Sequence, residues 1–220
     1  MAASILRATG RKVGLYTSPH LVRFNERIRI GGIPIPDEWI VSFLKKYRVE
    51  IDTLGSTFFE TTTAIMFSYF ADEAVDIAVV EVGMGGRLDS SNVSESVVSV
   101  LTPIDFDHME FLGSDLPSIA KEKCGILKRD VPVVTTPQYK EVMSVIKSSS
   151  KEKGCPLFLI SEVCPVTAAV QKTDGSRFVI GETSIDLPLF GKHQVINAQT
   201  AIAACSLFDP KIGDNVVKTG

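Results

Sequence analysis

The segment VDIAVVEVGMGGRLDSSN, Val75 to Asn92, indicates both the fold of this chain and the position of a candidate site. An apolar run leads into Glu81, and three glycines, an arginine and an aspartate follow it. A strand that is apolar throughout, instead of alternating, is typical of a parallel sheet covered on both faces. The segment therefore predicts a buried strand that ends in a carboxylate and continues into a loop whose glycines let the backbone turn sharply and approach a ligand.

The rest of the chain continues the alternation of strands and helices. Further buried strands are predicted at 97–104 and 130–136, and helices at 36–47, 56–74, 116–127, 139–154 and 193–208. Between about residue 155 and residue 190 the pattern changes to short alternating strands. We therefore predict an α/β fold with a doubly wound, mostly parallel sheet, in one domain over residues 1–220 that includes a small β-rich subregion at about 155–190.

Composition narrows the classes of function. The net charge of −3 lacks the basic excess that is usual in nucleic-acid-binding proteins. No apolar run approaches the roughly 20 residues of a membrane span, and four cysteines without a C-x-x-C pair do not indicate a disulfide framework or a zinc site. We expect a cytoplasmic protein, a monomer, whose partners are small molecules and neither nucleic acid nor a membrane.

Polar side chains follow two of the predicted buried strands. Glu81 ends one of them, and Asp105, Asp107 and His108 follow the next. Because ligands bind beyond the carboxyl ends of parallel strands, we expect Glu81 and His108 to lie close together as metal ligands, and a carboxylate with open water positions suits Mg²⁺ held by phosphate. Each residue also has a structural alternative, which is a surface or helix-capping role for Glu81 and a packing role for His108.

Lys123 stands in the apolar helix IAKEKCGIL. Burying an ammonium group is costly unless the group finds a partner or is modified. The alternative is that this side chain reaches solvent along its apolar stem. The residue types alone leave both interpretations open.

Six segments, taken in order, resemble the folylpolyglutamate synthase/dihydrofolate synthase family of the Mur ligase superfamily. They are GLYTSPHLVRFNERIRI, FFETTTAIMF, VVEVGMGGRLDSSN, DHMEFLG, AKEKCGIL and GKHQVINAQTAIAA. The resemblance implies a central, P-loop-NTPase-like domain that uses ATP and Mg²⁺. It also implies a ligase that joins the amino group of L-glutamate to a carboxylate of dihydropteroate or a folate through an acyl phosphate.

The resemblance also implies roles for individual residues near the phosphates. Glu81 matches the carboxylate ligand of Mg²⁺, and His108 matches the histidine ligand of a second Mg²⁺ near the acyl phosphate. Lys123 matches a lysine that is carbamylated in several members, which converts a cation into an anion. His108 and Lys123 are therefore the candidate catalytic residues.

Substrate contacts are implied in the same way. Ser18, Pro19 and His20, which follow Thr17, match a substrate loop, and Thr57 and Phe59 match positions that pack the pterin ring.

Two further positions concern the pterin and the adenine. Asp89 matches an aspartate that hydrogen-bonds the pterin in dihydropteroate-binding members, although a turn aspartate that caps backbone amides explains it equally well. Asn197 matches an asparagine near adenine, and we expect His193 to cap the same helix structurally.

The chain departs from the family pattern at both ends. The glycine-rich P-loop, G-x-x-x-x-G-K-S/T, occurs nowhere in the 220 residues, and the C-terminal domain of the family is expected after the helix of Asn197. We therefore expect a central-domain portion that lacks the P-loop strand and the C-terminal domain. These residues alone are expected to be inactive towards ATP and glutamate, because no P-loop amides or lysine hold the phosphates.

Two other functions remain open from the sequence. One is another Mur-type amino-acid ligase, such as a muramyl peptide ligase, and the other is a non-catalytic protein that binds pterins or serves as a scaffold without a P-loop. The choice between dihydropteroate and folates is also open, although Asp89 slightly favours activity on both.

Overall fold

A computed structural model describes every residue from Met1 to Gly220. The strands are β1 (Val13–Tyr16), β2 (Ile28–Ile30), β3 (Ile33–Pro34), β4 (Ile77–Val80), β5 (Ser99–Leu101), β6 (Val133–Thr135), β7 (Leu157–Leu159), β8 (Val166–Lys172), β9 (Gly175–Ile180) and β10 (Thr183–Leu187). The helices are α1 (Ala2–Ala8), α2 (Asp37–Lys46), α3 (Arg48–Leu54), α4 (Phe58–Asp72), α5 (Met109–Leu112), α6 (Leu116–Lys123), α7 (Lys140–Glu152), α8 (Ile160–Val163), α9 (Lys192–Phe208) and α10 (Asp214–Thr219). None of these helices combines the length and the hydropathy that a membrane crossing requires.

The residues cluster into two compact units. The first, which we call the Glu81 unit, comprises Gly10–Met84 and Leu88–Ser94. The second, which we call the Lys123 unit, comprises Met1–Thr9, Gly85–Arg87 and Glu95–Gly220. Parallel strands joined through helices occur in both units, so the predicted α/β class is confirmed.

The Glu81 unit is built on a mixed four-stranded sheet in the order β3-β2-β1-β4. Strand β1 pairs in parallel with β4, with Tyr16 opposite Val80, and the hairpin β2–β3 continues the sheet in antiparallel fashion. Because β1 and β4 run in the same direction, their carboxyl ends lie at one edge of this sheet. The segments that follow β1 and β4 in the chain therefore begin at that edge.

Helix α4 covers this sheet through an apolar face. Met66 and Tyr16 are fully buried, and they share one core cluster with Ile28 of β2. The close approach of the helix depends on Gly14 of β1, since a Cβ atom there would lie 2.8 Å from the ring of Phe70. A side chain at this position would push α4 away from the sheet.

The Lys123 unit contains the parallel sheet β5-β6-β7 and the antiparallel sheet β10-β9-β8. Val133 of β6 is fully buried, with Ile119 of α6 and Ile146 of α7 in the same core cluster. The parallel strands are mostly apolar, as the sequence pattern predicts, and the polar residues in them, Ser99 of β5 and Thr135 of β6, are buried. Of the β-rich segment predicted at about 155–190, the first strand, β7, pairs in parallel with β6, and the antiparallel strands begin with β8 at Val166.

The hairpin β2–β3 and helix α3 are absent from the elements predicted from the sequence. The hairpin has a two-residue turn at Gly31 and Gly32, whose φ angles of 60° and 92° are both positive. Gly-Gly between two apolar residues is a recognised signal for such a turn. The prediction missed the hairpin because both strands are very short.

Met66→Ala tests the core of the Glu81 unit. Because Met66 is fully buried, the smaller side chain should leave a cavity and lower the free energy of unfolding by about 2–5 kcal/mol. Leu54→Ala is the matched control, because Leu54 is also helical but 78% exposed, and it should change the free energy by less than about 0.5 kcal/mol. Urea titration of both variants provides the measurement, and equal effects would contradict the described core.

Candidate functional site

The predicted site residues divide between the two units. Those in the Glu81 unit are Ser18, Pro19, His20, Thr57, Phe59, Glu81 and Asp89, and those in the Lys123 unit are His108, Lys123 and Asn197. The structure thus brings the proposed substrate residues and one proposed metal ligand into a single unit.

Glu81 and Ser18 meet at the carboxyl edge of β1 and β4. The backbone N–H of Glu81 donates to the carbonyl of Tyr16 at 3.0 Å, which extends the parallel pairing past Val80. The carboxylate oxygen Oε2 of Glu81 accepts a hydrogen bond from the Ser18 N–H at 2.9 Å. The side chain is exposed and its second oxygen has no partner within the chain, so Glu81 holds the loop at Ser18 and leaves one oxygen uncommitted. The Ser18–Pro19 peptide bond in this loop is cis, and Pro19 is exposed.

Asp89 organises the glycine-rich loop. Its Oδ2 accepts from the backbone N–H groups of Gly83 and Met84, each at 3.0 Å. Its Oδ1 accepts from the N–H and the hydroxyl of Ser91, at 2.9 Å and 2.5 Å, and so caps the short 3₁₀ helix Ser90–Val93. A carboxylate offers about four acceptor sites, and the loop itself fills that number. Asp89 therefore caps backbone amides in its own turn, which is the structural alternative given in the sequence analysis. Its contact with a pterin stays a prediction.

A chain of hydroxyl groups ties this loop to the core. The hydroxyl of Tyr16 lies 3.3 Å from that of Thr63 on α4, which in turn lies 2.8 Å from that of Ser90. Tyr16 has no exposed surface, and burial raises the pKa of its phenol above the usual value. The neutral phenol therefore anchors the loop after β4 through two hydrogen bonds.

Thr57 and Phe59 stand at the N-terminus of α4. Thr57 caps the helix, since its Oγ1 accepts from the Glu60 N–H while Glu60 accepts from the Thr57 N–H at 2.8 Å. The spacing of Thr57 and Glu60 is a capping-box signature that the sequence already contained. The half-buried ring of Phe59 lies against Gly83, where a Cβ atom would come within 2.2 Å of the ring. Gly83 is therefore required by the packing of Phe59.

His20 has a partner that the sequence did not indicate. Its Nδ1 accepts a hydrogen bond from Nε of Arg27 at 2.9 Å. The guanidinium carbon of Arg27 lies 5.4 Å from the centre of the Phe58 ring. Arg27 thereby joins the loop of residues 18–20 to the first turn of α4, and no periodicity or motif spacing identified it beforehand.

His108 stands at the start of α5 in a left-handed conformation. Its φ and ψ angles are 48° and 39°, which is uncommon outside glycine, although histidine is one of the residue types enriched there. The side chain is 49% exposed, and Nε2 lies 3.5 Å from Oδ2 of Asp107. The backbone of the DHMEFLG segment thus turns sharply at this residue and presents its imidazole at the surface.

Lys123 ends α6 and is half-buried. Its ammonium makes no hydrogen bond or ion pair within the chain. The backbone around it is tightly packed, because a Cβ atom on Gly86 would lie 2.9 Å from the Lys123 carbonyl oxygen.

Arg87 strengthens the contact between the Gly86 segment and the end of α6. Its N–H donates to the Glu122 carbonyl at 2.9 Å, and its guanidinium pairs with the Glu122 carboxylate at 3.1 Å. Sequence reasoning overlooked this pair, because its two residues are far apart in the chain.

Asn197 is exposed on α9, and its side-chain amide donates to Gln194 at 3.3 Å. The expectation that His193 caps this helix is wrong. The cap position is Gly191 and no side chain caps it. The imidazole of His193 instead packs over Gly191, where a Cβ atom would come within 2.5 Å of the ring.

The chain offers few side-chain donors for Mg²⁺ near Glu81. No three His, Cys, Asp or Glu side chains group so that they could hold a metal ion by themselves. Mg²⁺ normally takes only one or two carboxylates and completes its shell with water and substrate phosphates. An exposed Glu81 with one uncommitted oxygen fits that requirement.

Asp89→Asn tests the structural role of this carboxylate. The amide offers one acceptor oxygen, and its NH₂ group faces donors, so the variant should lower the free energy of unfolding by about 1–3 kcal/mol. Asp72→Asn is the control, because Asp72 is exposed at the C-terminal end of α4 and accepts no hydrogen bond. It should leave the free energy unchanged or slightly raise it. Equal stability of the two variants in urea titration would show that the loop does not depend on Asp89.

Comparisons with known proteins identify the family of the chain. The model of the Mur ligase middle domain matches residues 38–205. The chain is 37% identical over 218 residues to the folylpolyglutamate synthase of Lacticaseibacillus casei, covering 94% of this chain and 51% of that protein. It is 34% identical over 233 residues to the dihydrofolate synthase/folylpolyglutamate synthase of Bacillus subtilis, covering 99% and 54%.

A solved structure shows the same likeness in three dimensions. A complex of folylpolyglutamate synthase with AMPPCP and folate superposes with a TM-score of 0.93 at 35% identity, over 99% of this chain and 57% of that one. The chain spans about half the length of the curated relatives it matches. The resemblance inferred from the six segments is thus confirmed, and the chain belongs to the folylpolyglutamate synthase/dihydrofolate synthase family of the Mur ligase superfamily.

Proposed function

We propose that this chain forms part of an ATP-dependent ligase that adds L-glutamate to dihydropteroate, to folates or to both. The observation that carries the proposal is the meeting of Glu81 and Ser18 at the carboxyl edge of β1 and β4, at 2.9 Å. Ligands of open α/β sheets bind at such an edge. The two relatives named above are a folylpolyglutamate synthase and a bifunctional dihydrofolate synthase/folylpolyglutamate synthase, which supports this substrate class.

Glu81 would contribute one carboxylate oxygen to Mg²⁺ bound with the phosphates of ATP. The ion supplies positive charge that offsets the negative charge of a transferring phosphoryl group. The hydrogen bond from Ser18 fixes the orientation of the Glu81 carboxylate. This orientation leaves the other oxygen available without a further rearrangement of the chain.

The substrate segments lie in the same unit as Glu81. The ring of Phe59 is fixed by Gly83 and lies 6.1 Å from the ring of Tyr16, and an aromatic face of this kind suits a flat pterin. The loop from Ser18 to His20 would cover the acceptor. Asp89 contributes mainly by shaping the loop at Gly83 and Met84.

The proposed reaction has two steps. The acceptor carboxylate attacks the γ-phosphorus of ATP, the bond to the β–γ bridging oxygen breaks, and ADP leaves with that electron pair. The amine of glutamate then attacks the acyl carbon, the C–N bond forms, inorganic phosphate departs, and the amine loses a proton. The protein accelerates both steps chiefly by holding anions in line and by compensating their charge.

His108 and Lys123 have proposed roles that rest on the matched segments. The Lys123 ammonium first loses one proton; the neutral amine then attacks CO₂, the N–C bond forms and a second proton is released, so that an anionic carbamate replaces a cation. The half-buried, unpaired ammonium is the feature of this chain that favours such a change, because a charge without a partner is costly there. His108 is the second proposed metal ligand, and its imidazole stands exposed at the start of α5.

Acceptor specificity provides the direct test of the proposal. The complete gene product should incorporate labelled glutamate into dihydropteroate or tetrahydrofolate only when ATP and Mg²⁺ are present. A UDP-muramyl acceptor should give no product. Product from the muramyl acceptor alone would favour another Mur-type ligase, and binding of pterins without any ATP-dependent product would favour the non-catalytic alternative.

Glu81→Gln tests the proposed magnesium ligand. The neutral amide keeps a hydrogen-bond acceptor for Ser18 but loses the charge, so ATP binding should require more Mg²⁺ and the rate should fall by about 10²–10³. The measurement is ATP affinity as a function of Mg²⁺ concentration, followed by glutamate incorporation. Glu95→Gln, at an exposed position, serves as the control, and a Mg²⁺ dependence that is the same in both variants would contradict the assignment.

Lys123→Ala tests the proposed carbamate. The variant should lose activity, and added acetate should restore part of it, because a small carboxylate can replace the missing anionic oxygens. Mass spectrometry in bicarbonate buffer should show the mass of one CO₂ on the wild-type protein and none on the variant. Lys121→Ala, in the same helix but exposed, should behave as wild type, and full activity of Lys123→Ala would exclude a catalytic role.

A further inference from the structure

Arg27 is a buried cation without an anionic partner. It ends the 3₁₀ helix Phe24–Arg27 immediately before β2, and only 8% of its surface is exposed. No carboxylate of the chain lies within 4.0 Å of its guanidinium. Arginine is rarely buried to this extent unless it is paired, because removing the charge from water is costly.

The groups that touch the guanidinium are neutral. Nε donates to Nδ1 of His20 at 2.9 Å, and the ring of Phe58 lies 5.4 Å from the guanidinium carbon. These two contacts hold the plane of the guanidinium but add no negative charge. A guanidinium carries five N–H donors, and the hydrogen bond to His20 uses one of them.

The acidic side chains of the adjoining elements are committed to other donors. Glu26, the preceding residue, accepts from the backbone N–H groups of residues 21–23. Asp37 accepts from Arg23 and from the side-chain amide of Asn25. Glu60 and Asp89 hold the backbone of their own segments. The charge of Arg27 is therefore left without an ionic partner inside the protein.

Topology places Arg27 at the ligand-binding edge of the sheet. Strand β2 runs antiparallel to β1, with Ile28 opposite Tyr16. Its first residues therefore lie at the carboxyl end of β1, where Ser18 and Glu81 meet. The Thr17 N–H donates to the Arg27 carbonyl at 2.9 Å, so Arg27 is in direct contact with the first residue after β1.

From these contacts we propose that Arg27 binds a carboxylate of the pterin-containing acceptor, an inference that rests on the proposed function. The planar guanidinium matches a carboxylate through paired hydrogen bonds. His20 and Phe58 keep that plane in a fixed orientation, which lowers the entropy lost on binding. One edge of the sheet thus carries both charges that the proposal needs. Glu81 provides the negative charge for Mg²⁺, and Arg27 provides the positive charge for the acceptor carboxylate.

A pair of ligands tests the proposal without any need for turnover. Binding of pteroic acid and of the same molecule without its carboxyl group is measured calorimetrically on the complete gene product and on Arg27→Met. The wild-type protein should bind pteroic acid about 10- to 100-fold more tightly than the decarboxylated analogue. Arg27→Met should lose that preference while its affinity for the analogue stays unchanged. Arg29→Met is the control, because Arg29 lies two residues further on in β2 and its side chain bonds to Glu26, and it should keep the preference.

The other outcomes are equally informative. If Arg27→Met weakens the binding of both ligands equally, Arg27 only braces the loop and the proposal is wrong. If the wild-type protein binds neither ligand, the proposed function itself fails, which is a different result from the loss of preference. If Arg27→Met does not fold, Arg27→Lys decides instead: it keeps the charge but not the planar fork, so a reduced preference supports the proposal and an unchanged preference overturns it.

Discussion

The parallel pairing of β1 with β4 is the constraint on which the candidate site depends. It brings the residues that follow both strands to one edge, where the Ser18 N–H reaches the Glu81 carboxylate at 2.9 Å. Antiparallel pairing would place these two groups at opposite ends of the sheet. A parallel pair needs a long connection between its strands, and α4, which lies in that connection, packs closely over Gly14 of β1.

The loop after β4 shows how folding and binding compete for the same polar groups. Asp89 is attractive as a ligand contact, yet its carboxylate accepts hydrogen bonds from Gly83, Met84 and Ser91. Breaking those bonds to bind a substrate would leave backbone donors unsatisfied. Glu81 differs, because only one of its oxygens is used by the chain. The hydrogen bonds within the chain thus distinguish Asp89, which shapes the loop, from Glu81, which has an oxygen available for a ligand.

Charge is distributed unevenly over this edge of the sheet. Glu81 contributes an exposed carboxylate, whereas Arg27 contributes a buried guanidinium whose contacts are a histidine and an aromatic ring. Neither group forms an ion pair within the chain. The two proposals assign them partners of opposite charge, a metal–nucleotide complex for Glu81 and an acceptor carboxylate for Arg27.

The sequence by itself determined the α/β class, the apolar strands and the segments that indicate the family, because these depend on local periodicity and on motifs of neighbouring residues. Only the tertiary structure decided which polar groups meet. Three contacts join residues whose spacing follows no period. They are the hydrogen bond between Arg27 and His20, the hydrogen bonds that the Asp89 carboxylate accepts from its own loop, and the ion pair of Arg87 with Glu122. Such contacts depend on how strands and helices are placed against each other. The hairpin β2–β3, which begins immediately after Arg27, was itself missed because its strands are short.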